Sequence, residues 1–170
     1  MRNIILIGMP GTGKSTVGVL LAKSLRLNFT DTDIVMQQAE GQSLAGLLER
    51  HGIEGFLRVE EHHALSLDVD DTIIATGGSV VYSDRAMQHL RRNGICVYLF
   101  TPLALLEMRL HNLYTRGVVM RPGKTLKDLF NERHPLYQRY ADIEMDCLGR
   151  DHEAVVAAIR ERLSAAHPPQ

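Results

Sequence analysis

Tryptophan is missing altogether, and five tyrosines and four phenylalanines are the only phenyl-type rings in 170 residues. So thin an aromatic supply offers no stacking platform for single-stranded nucleic acid, and a net charge of −1 offers no basic groove. A small-molecule partner is therefore expected, with no nucleic acid. Cysteine is nearly as scarce. Cys96 lies inside an apolar strand-like run and Cys147 follows another, which argues against a disulfide framework and fits a reducing compartment. No apolar stretch approaches the roughly 18 residues of a membrane span, and no basic leader precedes a cleavable segment. A cytoplasmic protein without membrane contact is expected, read as a monomer. The eight histidines show no HxxxH or Cys/His spacing, and neighbours His62 and His63 diverge by about 100° on a helix, so no metal cluster is read from them. Repeats, low-complexity tracts and an interdomain linker are also lacking. A single domain over 1–170 can bury roughly 70% of its unfolded surface without staples.

What is present is alternation. Short apolar runs at Asn3 to Ile7, Leu27 to Asp31, Thr72 to Ala75, Ile95 to Phe100 and Asp142 to Met145 read as strands. Amphipathic segments near 14–25, 43–50, 53–67, 84–92, 102–110, 125–140 and 152–164 read as helices. This order predicts a three-layer α/β/α fold with a parallel sheet. Ile95 to Phe100 is apolar on both pleat faces, as a central strand should be. His111 to Lys124 is polar, long for a connection and carries Gly117, Pro122 and Gly123; such loops in α/β enzymes are commonly lids.

Directly after the first strand, Gly8-Met9-Pro10-Gly11-Thr12-Gly13-Lys14-Ser15 spells GxxxxGK[ST]. Strand, glycine loop and helix in that order form a phosphate cradle: backbone N–H groups turn inward, Lys14 reaches the β- and γ-phosphates and Ser15 ligates Mg²⁺. Ligands of parallel sheets sit beyond the carboxyl ends of the strands. At the end of the second strand, Asp31 and Asp33 suit a division between metal support and proton acceptance, unless Asp33 merely caps a helix beginning at Ile34. Gly77-Gly78 ends the third strand as either a close approach to ligand or a plain turn. Arg58 lies opposite the stripe of Phe56, Val59, His63 and Leu67, alongside Glu54 and Glu61, which leaves open a surface ion-pair cluster. Arg133 falls inside the stripe of Leu126, Leu129, Phe130, Tyr137 and Tyr140. An inward guanidinium needs an anion, from the protein or from a ligand gripped bidentately. Pro135 is a potential break in that helix.

This ordered set, with Thr76-Gly77-Gly78 and Arg133-His134-Pro135-Leu136-Tyr137, resembles the shikimate kinase family from Arg2 to about Leu163. The resemblance implies a P-loop NTPase fold with a five-stranded parallel sheet and a mobile lid at about 111–124. It also implies ATP and Mg²⁺, with the γ-phosphate passed to the 3-hydroxyl of shikimate. Gly11, Thr12, Gly13, Lys14, Ser15 and Thr16 would then hold the nucleotide and Arg109 would lie beside the adenine. Ser15 and Asp31 would support the metal, Asp33 would be the base, and Arg58, Arg133, Gly77 and Gly78 would hold the acceptor. Three departures stand out. Ser79 replaces a third glycine. The Phe-Arg step reads Leu57-Arg58, with Phe56 displaced by one. The lid arginine is assigned to Arg116, with Arg121 of Arg121-Pro122 as the alternative.

Overall fold

The computed structural model describes residues 2–109 and 117–166. Five parallel strands form one sheet in the order β2-β3-β1-β4-β5, with β1 at Asn3–Ile7, β2 at Asn28–Asp31, β3 at Thr72–Ala75, β4 at Gly94–Phe100 and β5 at Ile143–Asp146. The register pairs Ile5 with Ile74 on one side and with Cys96 on the other. Consecutive residues of the central strands feed opposite faces, and each face carries its own core. Ile5, Ile7, Ile74 and Tyr98 pack beneath Ala64, Met87, Leu129 and Tyr137, whereas Ile4, Leu6, Ile73, Val97 and Leu99 pack beneath Val17, Leu21, Val155 and Ile159.

The helices α1 (Lys14–Leu25) and α7 (His152–Ala166) cover the second face; α3 (Leu44–Ser66), α4 (Asp84–Arg91) and α6 (Leu126–Tyr140) supply the cover of the first. The segments expected at 43–50 and 53–67 are two helical stretches of α3 that meet at a kink, where the Gly52 backbone is not helical (φ 64, ψ −178). The short α5 is Leu103–Arg109. Pro135 does not end α6, which runs on to Tyr140 behind a capping box formed by Thr125 and Asp128.

One helix corresponds to what the sequence offered only as an alternative, a helix beginning at Ile34. The strand Asn28–Asp31 passes straight into α2, Thr32–Glu40, because the Asp31 carboxylate accepts from the backbone N–H groups of Asp33 (3.0 Å) and Ile34 (3.4 Å). Asp31 is therefore the cap, and Asp33 occupies the first helical turn rather than extended chain. The junction places Asp31, Asp33 and the phosphate loop at the same carboxyl edge of the sheet.

Candidate active site

The loop between β1 and α1 curls through positive φ at Gly8, Gly11 and Gly13 (148, 80 and 89). A side chain on Gly13 would meet the His152 ring, 2.8 Å from its Cβ position. Lys14, buried at the start of α1, donates to the carbonyls of Gly8 (2.9 Å) and Met9 (3.0 Å). Burial pushes its ammonium down to about 8, with the charges of Asp33 and Asp31 opposing that fall. Ser15 donates its hydroxyl to Asp31 Oδ2 at 2.6 Å. Hydroxyl and carboxylate thus converge from two elements beside the phosphate loop.

Asp33 shares the cleft with them. Burial, reinforced by the neighbouring Asp31 charge and opposed by Lys14, raises its carboxyl to about 6. The cleft is a cavity of about 320 Å³ lined by Gly11, Gly13, Lys14, Ser15, Thr16, Asp33, Gly77, Gly78 and Arg133 among others. Thr12 is buried and its hydroxyl has no partner among the described residues. The floor at the end of β3 is held by two threonines: Thr76 donates its hydroxyl to Leu6 O (2.9 Å), and Thr32 accepts from the Gly77 N–H (3.0 Å).

Glu60 is the residue that the sequence reading passed over. It is 5% exposed, lines the cleft, and its Oε1 has no hydrogen-bond partner among the described residues. That oxygen lies against Gly77, where an added Cβ would collide with it and come within 2.8 Å of Asp33 Oδ1. Gly77 is thus required by close approach to two carboxyls, while its own backbone needs no positive φ. Ser79 bonds to the Glu60 carboxyl and also lines the cleft, so the residue in place of a third glycine faces inward.

Burial raises the Glu60 carboxyl from its ordinary 4.5 to about 7; the Ser79 bond opposes this, Asp33 adds to it, and Arg133 and Lys14 oppose it. An acid with a raised native pKa keeps a proton that the unfolded chain releases. Its stabilising contribution is complete below about 4.5 and is lost as pH rises through about 7, a loss on the order of 3 kcal/mol. Glu60→Gln is therefore expected to raise the urea midpoint substantially more at pH 8 than at pH 4.5. Equal gains at the two pH values would contradict this assignment.

Arg133 is 1% exposed and projects from α6 into the same cleft. Its Nε donates to Tyr82 Oη (3.1 Å), its Nη2 to Val119 O (2.7 Å), and the group lies 5.1 Å from the Tyr82 ring centroid. No carboxylate lies within ion-pair distance of it among the described residues. Two of its five N–H donors are engaged in this way, and Nη1, which faces Gly78, is among those left for a ligand. Tyr137, one turn on, donates to Gly78 O at 2.6 Å and fixes that strand end.

Arg58 is not brought into the cleft. It is exposed and lines an adjoining cavity with Glu54 and Glu61, which Glu60 and Ser79 also border. The reason is helical phase: two residues rotate a side chain by about 200°, so the inward position on α3 belongs to Glu60 and the outward one to Arg58. Phe56, one turn before Glu60, is inward as well. Arg109 donates to Gly11 O at 3.3 Å, on the nucleotide side of the loop. Arg116 lies outside the described residues. Arg121 turns away from the cleft, 3.7 Å from Glu54 with both side chains exposed, while Val118 and Val119 line the cleft wall.

The family model for shikimate kinase matches residues 10–164. The chain belongs to the shikimate kinase family. A shikimate kinase of Pseudomonas paraeruginosa is 37% identical over 99% of both chains, and one of Caldanaerobacter subterraneus is 34% identical over 94% of both. The solved shikimate kinase from Acinetobacter baumannii in complex with shikimate is 27% identical with a TM-score of 0.90, covering 99% of this chain and 96% of that one. Membership makes the protein an ATP-dependent phosphotransferase of the P-loop fold.

The residues fit the donor side of that chemistry. Three positive-φ glycines and a buried lysine with no carboxylate partner among the described residues suit polyphosphate. No cluster of three His, Cys, Asp or Glu side chains suited to a metal occurs among the described residues. The Ser15–Asp31 pair suits Mg²⁺ instead, an ion that takes one or two protein oxygens and completes its shell from phosphate and water.

Proposed function

We propose that this protein transfers the γ-phosphoryl group of ATP to the 3-hydroxyl of shikimate, giving shikimate 3-phosphate and ADP in the route to aromatic amino acids. Arg133 carries the acceptor assignment. Its guanidinium is buried in the cavity that also holds Lys14 and Asp33, and it has no carboxylate partner among the described residues. An unpaired buried charge costs several kcal/mol, and a carboxylate-bearing acceptor supplies the missing charge.

The remaining roles follow from position. Gly11, Thr12, Gly13 and Thr16 cradle the phosphates, and Lys14 leaves the carbonyls of Gly8 and Met9 to follow the transferring group. Ser15 and Asp31 are the side chains that would hold Mg²⁺. When bound, the ion neutralises phosphate charge as it accumulates. Asp33 orients the acceptor hydroxyl and takes its proton, while the Gly77-Gly78 backbone lies beneath the acceptor. Arg109 stands beside the nucleotide base, and Arg116 is assigned to the transferring phosphate. Arg58, on the outer face, is left without an acceptor contact. The enzyme is read as a single kinase domain over 1–170 with a lid at about 111–124, acting as a cytoplasmic monomer. No described helix is long and apolar enough to cross a membrane.

ADP release by the purified protein with Mg-ATP, measured with and without shikimate, tests this reading. Shikimate-dependent release with saturation is expected. Retained ATP binding without shikimate-dependent release would refute the acceptor assignment.

A further inference from the structure

The charges around the cleft divide unevenly. Lys14, Ser15 and Asp31 belong to the phosphate side, which leaves Arg133 facing two carboxyls, Asp33 and Glu60, across the acceptor side. A monoanionic polyol satisfies the guanidinium alone. Glu60 keeps a buried oxygen with no donor, and no cation lies within ion-pair distance of it among the described residues. The positive group nearest in sequence, Arg58, lines the adjoining cavity, which Glu60 also borders, but makes no ion pair with it among the described residues. An orphaned carboxyl oxygen on a residue that lines a ligand cavity is a costly feature unless a ligand supplies the donor.

We propose that the cleft accepts a second substrate class, small zwitterionic hydroxy-amino acids, with the carboxylate on Arg133, the ammonium on Glu60 Oε1 and the hydroxyl on Asp33. The position a Cβ would take on Gly77 lies against both Glu60 Oε1 and Asp33 Oδ1, so the two oxygens are near neighbours and suit an ammonium and a hydroxyl one or two carbons apart on the acceptor. Threonine and homoserine meet that condition. In the transfer, the acceptor oxygen forms a bond to Pγ as the bond from Pγ to the β,γ-bridging oxygen breaks. The hydroxyl proton goes to the Asp33 carboxylate, and ADP leaves with the electron pair. This inference rests on the ATP-kinase reading of the site, but not on shikimate being an acceptor.

The test measures ADP release by the full chain with Mg-ATP, comparing L-threonine with 3-hydroxybutyrate and L-homoserine with 4-hydroxybutyrate, pairs that differ by the amine alone. Shikimate serves in parallel. The amino acid of at least one pair is expected to exceed its amine-free partner at least tenfold in kcat/KM, and Glu60→Gln is expected to collapse that ratio towards one. If shikimate turns over and no amino acid does, the inference is wrong and the shikimate assignment stands. If an amino acid turns over and shikimate does not, the reverse holds. Failure of every acceptor overturns both, and a preference for the amine that Glu60→Gln leaves intact overturns the role given to Glu60. The wild-type pairs give their answer even if the variant fails to fold.

Discussion

Asp33→Asn lowers kcat by about two to four orders of magnitude, the range expected when a positioned proton acceptor is lost, and leaves ATP affinity nearly unchanged. The separation follows from where the residue sits. Asp33 lies in the first turn of α2 and presents Oδ1 beside Gly77, on the acceptor side of the cleft. The bonds that shape the phosphate side belong to Ser15 and Asp31. The fold is also spared, because Asp31 rather than Asp33 caps α2. Steady-state kinetics with a parallel ATP titration check this. Turnover within a few fold of wild type would remove Asp33 from the chemistry.

Replacing Arg133 by methionine, which keeps most of the volume, raises the acceptor KM by on the order of 100-fold, as truncation of a charge-paired anchor does. The KM for ATP stays within a few fold. Thermal stability changes little by comparison. Breaking a buried ion pair costs 3 to 5 kcal/mol because a partner charge is stranded, and no carboxylate is paired with Arg133 among the described residues. The lost bonds are to Tyr82 Oη and Val119 O. A large fall in melting temperature with an unchanged acceptor KM would make Arg133 a structural residue instead.

The layered fold and the phosphate loop were legible in the sequence because their signals are local. The apolar runs that form β1, β3 and β4 are apolar on both faces, and GxxxxGK[ST] directly follows the first. The start of α2 was only half legible because Asp31 serves two ends: it closes a strand and caps the helix after it, so the spacing of Asp31 and Asp33 looks extended and the cap falls to Asp31 rather than Asp33. Arg133 was found by asking what a charged residue does within an apolar stripe. The same question would have found Glu60, which lies one turn after Phe56 on the inward side of α3. Arg58, by contrast, lies opposite that stripe, a placement that indicates an outward side chain. The bonds that hold Arg133 in place were not legible at all, because Tyr82 and Val119 reach it from elements distant in sequence.

The most direct test of the central claim is the identity of the phosphorylated product. The purified chain, incubated with Mg-ATP and shikimate, is followed by ³¹P NMR with mass spectrometry of the product. The account predicts shikimate 3-phosphate accumulating in equal amount to ADP. ATP consumed without a shikimate phosphate ester, or ATP bound with neither product formed, would contradict it.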